Sequence, residues 1–188
     1  HNLLGVCLGR SEQWDQAFTT YYKLLQKQPE EALYWRNYGA ILLSRAEELE
    51  DQASVQHDIL ERARRCFSEA ISREPYNAEN HMGMAHTYKV ERNFTRAVEC
   101  VERAITADTK TDMQDLDAFI ELCFIYLLAE EYGKIEQTAN RLIPIVPDDP
   151  EARKYVASRF AVIGFELFKL RQLKPALVFF KSACKFDT

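Results

Sequence analysis

The sequence predicts an all-α chain made of antiparallel helical hairpins stacked in a row. Three observations predict it. Apolar residues recur three and four positions apart along most of the chain, the spacing of helices with one buried stripe. One register of small and apolar residues repeats five times. Only six Gly and six Pro interrupt the 188 residues, and the alternation that marks strands is hard to find.

The stretch from Ala78 to Thr109 sets the register. There His81, Met84, Ala85 and Tyr88 share one helical face, and Ala97, Val101, Ala104 and Ile105 share another. With Ala85 and Ala97 as two marks, the first recurs at Gly5, Gly39, Cys123 and Gly164. The second recurs at Ala17, Ala63, Ile135 and Ala176. The marks lie 12 residues apart in four units and 24 apart in one. Leu8, Leu42, Tyr88, Tyr126 and Leu167 lie three past the first mark. Tyr21, Phe67, Val101, Ala139 and Phe180 lie four past the second, and Pro29, Pro75 and Pro147 lie twelve past it. Such a period marks units that bury their apolar faces against their neighbours.

The pattern resembles the tetratricopeptide repeat. The best partial match to that family's signature is Trp35, Tyr38 and Gly39 with Ala63, Phe67, Ala70 and Pro75. Ala85, Tyr88, Ala97 and Ala104 match in the central unit. The resemblance covers essentially the whole chain. It implies a right-handed superhelical α-solenoid whose units span about 1–29, 30–76, 77–110, 111–149 and 150–188. Cys123 and Ile135 depart from the small residues that the signature prefers, and the second unit is too long.

Within that frame each element has a local reason. Ser11 is expected to cap the second helix, which carries Trp14, Ala17, Phe18, Tyr21 and Leu24. The second unit opens at Glu30 or Glu31. Its 12 extra residues continue the apolar stripe through Leu42, Ala46, Leu49 and Ala53, then back through Val55, Ile59 and Ala63. The insertion therefore predicts lengthened helices with a turn near Asp51 to Ser54. Shared equally, it adds roughly 9 Å to each helix at 1.5 Å per residue. The resulting spur carries Glu47, Glu48, Glu50 and Asp51.

Asn77 is expected to cap the third unit and Asn93 to sit in its turn. Thr111 to Gln114 fits a capping box. Pro144 should end the preceding helix, and Asp149 should cap the next with Pro150 in its first turn. The segment from Pro144 to Pro150 is the expected place for a change in superhelical angle. The helix after Pro175 is apolar on more than one side. It predicts cover from further repeats, a capping helix beyond Thr188 or a partner, and the chain reads as a segment of a longer array.

Composition bounds the function. No apolar run is long enough to be expected to span a membrane, and the opening residues HNLLGVCLGR do not read as a secretory leader. Five scattered cysteines, Cys7, Cys66, Cys100, Cys123 and Cys184, predict small buried residues in a reducing, intracellular setting, cytoplasmic or nuclear. No phosphate-binding loop, dinucleotide fingerprint, nucleophile elbow or zinc-protease motif is present. His81 and His86 stand five apart, off one helical face, with no cysteine beside them. The expectation is no catalytic residue, no metal and no cofactor.

Function is then expected from shape. In tetratricopeptide-repeat proteins the first helix of each hairpin lines a concave groove that holds extended peptides or a partner's helix. The positions expected there are Arg36 and Ala40, then Met82, His86 and Lys89, then Ile120, Phe124 and Leu127, and finally Ala161, Phe165 and Phe168. This lining turns apolar and aromatic toward the C-terminal half. The alternative is that these side chains pack on neighbouring hairpins. Of the residues that grip a carboxylate in some relatives, Asn37 could serve as the middle Asn, but Val6, Glu79 and Gly83 stand where the first Asn and the bases would be.

The main expectation is a protein-interaction module binding a peptide or partner helix in the groove. The alternative is a scaffold segment assembling by end-stacking through Phe179 and Phe186, or through the spur at 46–58. A minor alternative is RNA binding by the basic last unit: residues 151–188 carry eight Lys or Arg against three acids, whereas residues 1–150 carry 16 against 26.

Overall fold

This computed structural model describes residues 2–49, 51–107 and 112–186, with side chains from 115 onward in the last stretch. Ten α-helices occupy the described residues, with no strand among them: α1 (Asn2–Arg10), α2 (Trp14–Lys27), α3 (Ala32–Glu47), α4 (Ala53–Arg73), α5 (Ala78–Val90), α6 (Phe94–Ile105), α7 (Asp112–Leu128), α8 (Tyr132–Leu142), α9 (Pro150–Lys169) and α10 (Leu173–Phe186). The chain forms two compact units, His1–Thr109 and Lys110–Thr188. The first holds the hairpins α1–α2, α3–α4 and α5–α6, and the second holds α7–α8 and α9–α10. The fold is an all-α helical repeat.

All ten marks of the repeat register are buried, and they sit where paired helices touch. A side chain at Gly39 would place its Cβ 3.1 Å from the Phe67 ring. The small residue therefore makes room for the aromatic opposite. Burying such an aromatic stabilises by roughly 1.5–3 kcal/mol. Phe67 also meets the next hairpin, because a Cβ at Gly83 would come within 2.1 Å of it. Around Phe67 a cluster of Leu42, Leu43, Ala46, Leu49, Ile59, Leu60, Ala63 and Cys66 forms the core of the long hairpin.

In the first unit each hairpin packs its second helix on the first helix of the next, α2 on α3 and α4 on α5. Side chains four before the first mark pin the linkers between them. Trp35 Nε1 donates to the Pro29 carbonyl at 2.7 Å, and His81 Nε2 bonds the Pro75 carbonyl at 2.7 Å. In the second unit Phe119 and Phe160 hold that register position and donate nothing. There α9 packs on α7 and α10 on α8. The segment joining these hairpins is a 3-10 turn at Ile143–Ile145 that follows the end of α8 just before Pro144. Asp149 then caps α9 by accepting from Ala152 N at 2.8 Å, with Pro150 in the first turn.

Asn77 caps α5 by accepting from Glu79 N at 3.0 Å, and Asn93 caps α6 by accepting from Arg96 N at 3.3 Å. Ser11 does not cap α2. Its hydroxyl donates to the Leu8 carbonyl at 3.1 Å, and Gln13 precedes the helix without a side-chain bond. The reason is the turn geometry. Glu12, Arg92, Glu130 and Arg171 all adopt positive φ, between 57° and 59°, seven residues past the first mark of their hairpins. The next residue's N–H returns to the carbonyl five back, as from Gln13 to Leu8 and from Asn93 to Tyr88, both at 2.9 Å. This is a Schellman closure made with charged residues where glycine is usual.

The 12 extra residues of the second hairpin are not shared equally. Helix α3 has 16 residues against 13 in α5, whereas α4 has 21 against 12 in α6. The turn falls between the end of α3 at Glu47 and the start of α4 at Ala53, earlier than Asp51 to Ser54. This displaces the stripe: Leu49 is buried, but Ala53 and Val55 are exposed. Glu50 and the expected capping box at Thr111 to Gln114 lie outside the residues whose side chains are described. Three cysteines are buried, Cys66, Cys100 and Cys123, but Cys7 and Cys184 are exposed. They stand on helix faces that no other described helix covers.

Candidate partner-binding surface

In the first unit most groove positions are engaged by the fold. Arg36 on α3 makes an ion pair at 2.8 Å with Glu79 at the start of α5 and reaches Asn77 Oδ1 at 3.5 Å. It ties two first helices together. Asn37 Nδ2 donates to Asn2 Oδ1 at 3.0 Å, and the Tyr21 hydroxyl donates to the same oxygen at 2.8 Å. Burial pushes the Tyr21 phenol up to about 12, so this bond persists as a neutral one. Met82 rests on the alanine cluster of Ala78, Ala104 and Ala107. His86 and Lys89 are half-buried beside it on α5.

In the second unit the expected positions divide. Ile120 is buried, like Ala118, Phe119 and Leu122 around it on α7, a helix buried on several sides. It offers no surface, and its placement in the groove is corrected. Phe124 and Leu127 are half-buried. Phe165 and Phe168 are 54% and 55% exposed, with Val162 at 46% beside them on α9. The Lys169 ammonium lies 5.2 Å from the centre of the Phe165 ring and pairs with Glu166 at 2.7 Å. The result is an apolar strip with a charged edge. Val162 was not legible in advance, since it falls one position off the groove stripe.

The face of α10 is a second apolar surface, with Leu173 at 60% and Leu177 at 53% exposure. Phe180 is half-buried and Cys184 exposed on the same side. Phe179 is not part of it. That ring is wholly buried, 4.8 Å from the Phe160 ring, because its position on α10 faces α9. Phe186 lies 6.2 Å from the same ring and is half-buried.

Little in either unit favours chemistry. Burial pushes the Cys66 and Cys123 thiols up to about 12 and raises that of Cys100, the reverse of nucleophile activation. Among the described residues no group of three His, Cys, Asp or Glu could hold a metal. Among the described residues no helix is long and apolar enough to cross a membrane.

No family model matches the chain, and no curated protein matches it in sequence. Solved structures do. The chain is similar to MamA, at 18% identity and a TM-score of 0.59 over 97% of this chain and 94% of that one. It is similar to pilF of Pseudomonas aeruginosa, at 14% identity and a TM-score of 0.68 over 98% of this chain and 74% of that one. It is also similar to a putative kinesin light chain of Podospora anserina with nearly identical TPR-like repeats, at 14% identity and a TM-score of 0.65 over 98% and 92%. At these identities the likeness speaks for architecture, and the chain has the tetratricopeptide-repeat fold.

Proposed function

We propose that this chain is a non-catalytic protein-interaction module that binds an apolar or amphipathic segment along its first helices. Proteins of this fold are generally protein–protein interaction scaffolds. The observation that carries the reading is the exposure of Phe165 and Phe168, two large aromatics one helical turn apart on α9. Exposed apolar surface of this kind marks interaction sites. A partner helix presenting apolar residues three, four and seven apart fits such a strip. Met82, His86 and Lys89 on α5, and Phe124 and Leu127 on α7, are proposed as further lining. Arg36 is proposed to shape the groove through its pair with Glu79. All five hairpins are proposed to act as one array.

Selection of helical peptides by phage display on the 188-residue chain tests the reading. Enriched peptides should carry the spaced apolar residues and lose binding to the Phe165→Glu variant. Enrichment that survives both Phe165→Glu and Phe168→Glu would show that the strip is not the site.

A second reading, end-to-end assembly, is favoured by Leu173, Leu177 and Phe180. They hold the register of Trp14, Phe18 and Tyr21, which α3 covers in the first unit, with Phe18 and Tyr21 against Tyr38. Sedimentation should then show concentration-dependent association that Leu177→Glu removes. A strict monomer at high concentration would dismiss it.

A further inference from the structure

The first unit has a cleft that the groove reading does not use. It lies between the turn of the first hairpin and the spur of the second and encloses about 450 Å³, within the ordinary size of ligand pockets. Trp14 and Phe18 of α2 form one wall. Leu49, Val55 and Ile59 of the spur form the other. Val55 is 45% exposed here, and Trp14 and Phe18 are half-buried. The lengthening of α4 creates this wall, because Val55 and Ile59 belong to turns that α6 lacks.

The rim is acidic. Glu12 and Asp15 line the cleft and are exposed. The lining cation, Arg45, is already engaged: it pairs with Glu48 at 2.8 Å and lies 5.9 Å from the centre of the Trp14 ring. Apolar walls under an acidic rim complement one kind of occupant. We infer that the cleft between the spur and the first hairpin docks a partner segment that places an apolar anchor side chain between flanking lysines or arginines. The Arg62 guanidinium lies over the Phe18 ring, 5.5 Å from its centre, and Phe18 remains half-buried. The inference is independent of the groove on α9, which lies in the other unit.

The test uses two fluorescein-labelled peptides, each with one leucine anchor, flanked in one by lysines and in the other by glutamates. Fluorescence anisotropy with the 188-residue chain should show the lysine peptide binding at least roughly tenfold more tightly, a margin that shrinks as salt rises. Val55→Asp should weaken it by roughly tenfold through loss of the anchor contact. Val55 is exposed, so helical circular dichroism should be unchanged. The Glu12→Lys, Asp15→Lys pair should reverse the preference between the peptides, and Phe165→Glu should change nothing. Equal binding of the two peptides, or full binding by Val55→Asp, would overturn the inference. Binding lost in Phe165→Glu but kept in Val55→Asp would place the peptide on α9, overturning the cleft and leaving the groove reading intact. Failure of both peptides to bind would overturn the cleft alone.

Discussion

Phe67 in the second hairpin and Phe180 in the fifth hold the same position of the repeat, four residues past the second mark. Each rests on the glycine at the first mark of its own hairpin, with that glycine's ideal Cβ at 3.1 Å from Phe67 and 3.0 Å from Phe180. Yet Phe67 is 1% exposed and Phe180 is half-buried. The difference is the next helix. Gly83 brings the backbone of α5 against the far side of Phe67, and no described helix lies on the far side of Phe180. A repeat register thus fixes what a residue packs against inside its hairpin. Whether the other side becomes core or surface is decided by the neighbour.

The largest expected effect breaks the two positions apart. Phe67→Ala removes an aromatic enclosed on both sides and should destabilise by about 3–5 kcal/mol in urea unfolding followed by circular dichroism. Phe180→Ala should lose about half of that, since only one side of its ring is packed. Equal losses would mean that the far side of Phe180 is covered in solution, and a concentration dependence of the midpoint would identify self-association as the cover.

Gly83→Ala probes the neighbour directly. Its Cβ would stand 2.1 Å from the Phe67 ring, which is itself locked against Gly39 and cannot swing away. Overpacking should destabilise by about 1–3 kcal/mol. Gly164→Ala meets the half-buried Phe180 ring at 3.0 Å, which can yield, and the Phe179 Cβ at 3.3 Å, which needs a shift of only a few tenths of an ångström. The loss there should stay under about 1 kcal/mol. If Gly164→Ala proves as harmful as Gly83→Ala, the two hairpins are equally enclosed and the contrast fails.

These pairs also show what was legible in the sequence. The marks were legible because a helix pair needs small residues wherever it places a large one opposite. Gly83 was not, since it lies off the marks and its role appears only when α4 and α5 are brought together. The caps at Asn77 and Asp149 were legible because they depend on neighbours within three residues. The turns at Glu12, Arg92, Glu130 and Arg171 were hidden, because the backbone there is held by the hairpin and no glycine signals it. The spur was legible in length but not in partition. A 12-residue insertion keeps helical periodicity however it is divided, so the stripe alone could not place Val55 outside. That Phe165 and Phe168 share an exposed face of α9 needed only helical spacing to read. Ile120 failed because a helix this apolar, buried on several sides from Leu116 to Tyr126, has no unique stripe to read.

The thiols extend the comparison to pH. Burial holds Cys66 protonated in the folded state up to about 12, against an ordinary value of 9.0. The unfolded chain releases that proton sooner as pH rises. The raised group therefore contributes fully below pH 9 and loses its contribution between 9 and 12. By pH 10 the loss should be about 1 kcal/mol. Urea unfolding at pH 8 and pH 10 should show that Cys66→Ala reduces the alkaline drop. An unaltered drop in Cys66→Ala would mean that the thiol is solvated in the folded chain.

The smallest expected effects concern the turns, and their signs should be opposite. Arg171 closes the fifth hairpin at φ 57°, a left-handed conformation that disfavours a side chain by roughly 1 kcal/mol. Glycine adopts it freely but gives the unfolded chain more freedom, so Arg171→Gly should stabilise by a net of about 0.5 kcal/mol. The second hairpin leaves α3 through Glu48 at φ −76° and ψ −13°, as Glu91 and Leu170 leave α5 and α9, but the residue that follows, Leu49, does not turn to positive φ as Arg92 and Arg171 do. Glu48→Gly should destabilise by about 0.5–1 kcal/mol from backbone freedom alone, and loss of the pair with Arg45 adds in the same direction. Paired unfolding midpoints resolve the two signs. A stabilised Glu48→Gly would mean that Glu48 itself turns left-handed in solution, one residue before the place where Arg92 and Arg171 do so, and that the spur closes by a design of its own.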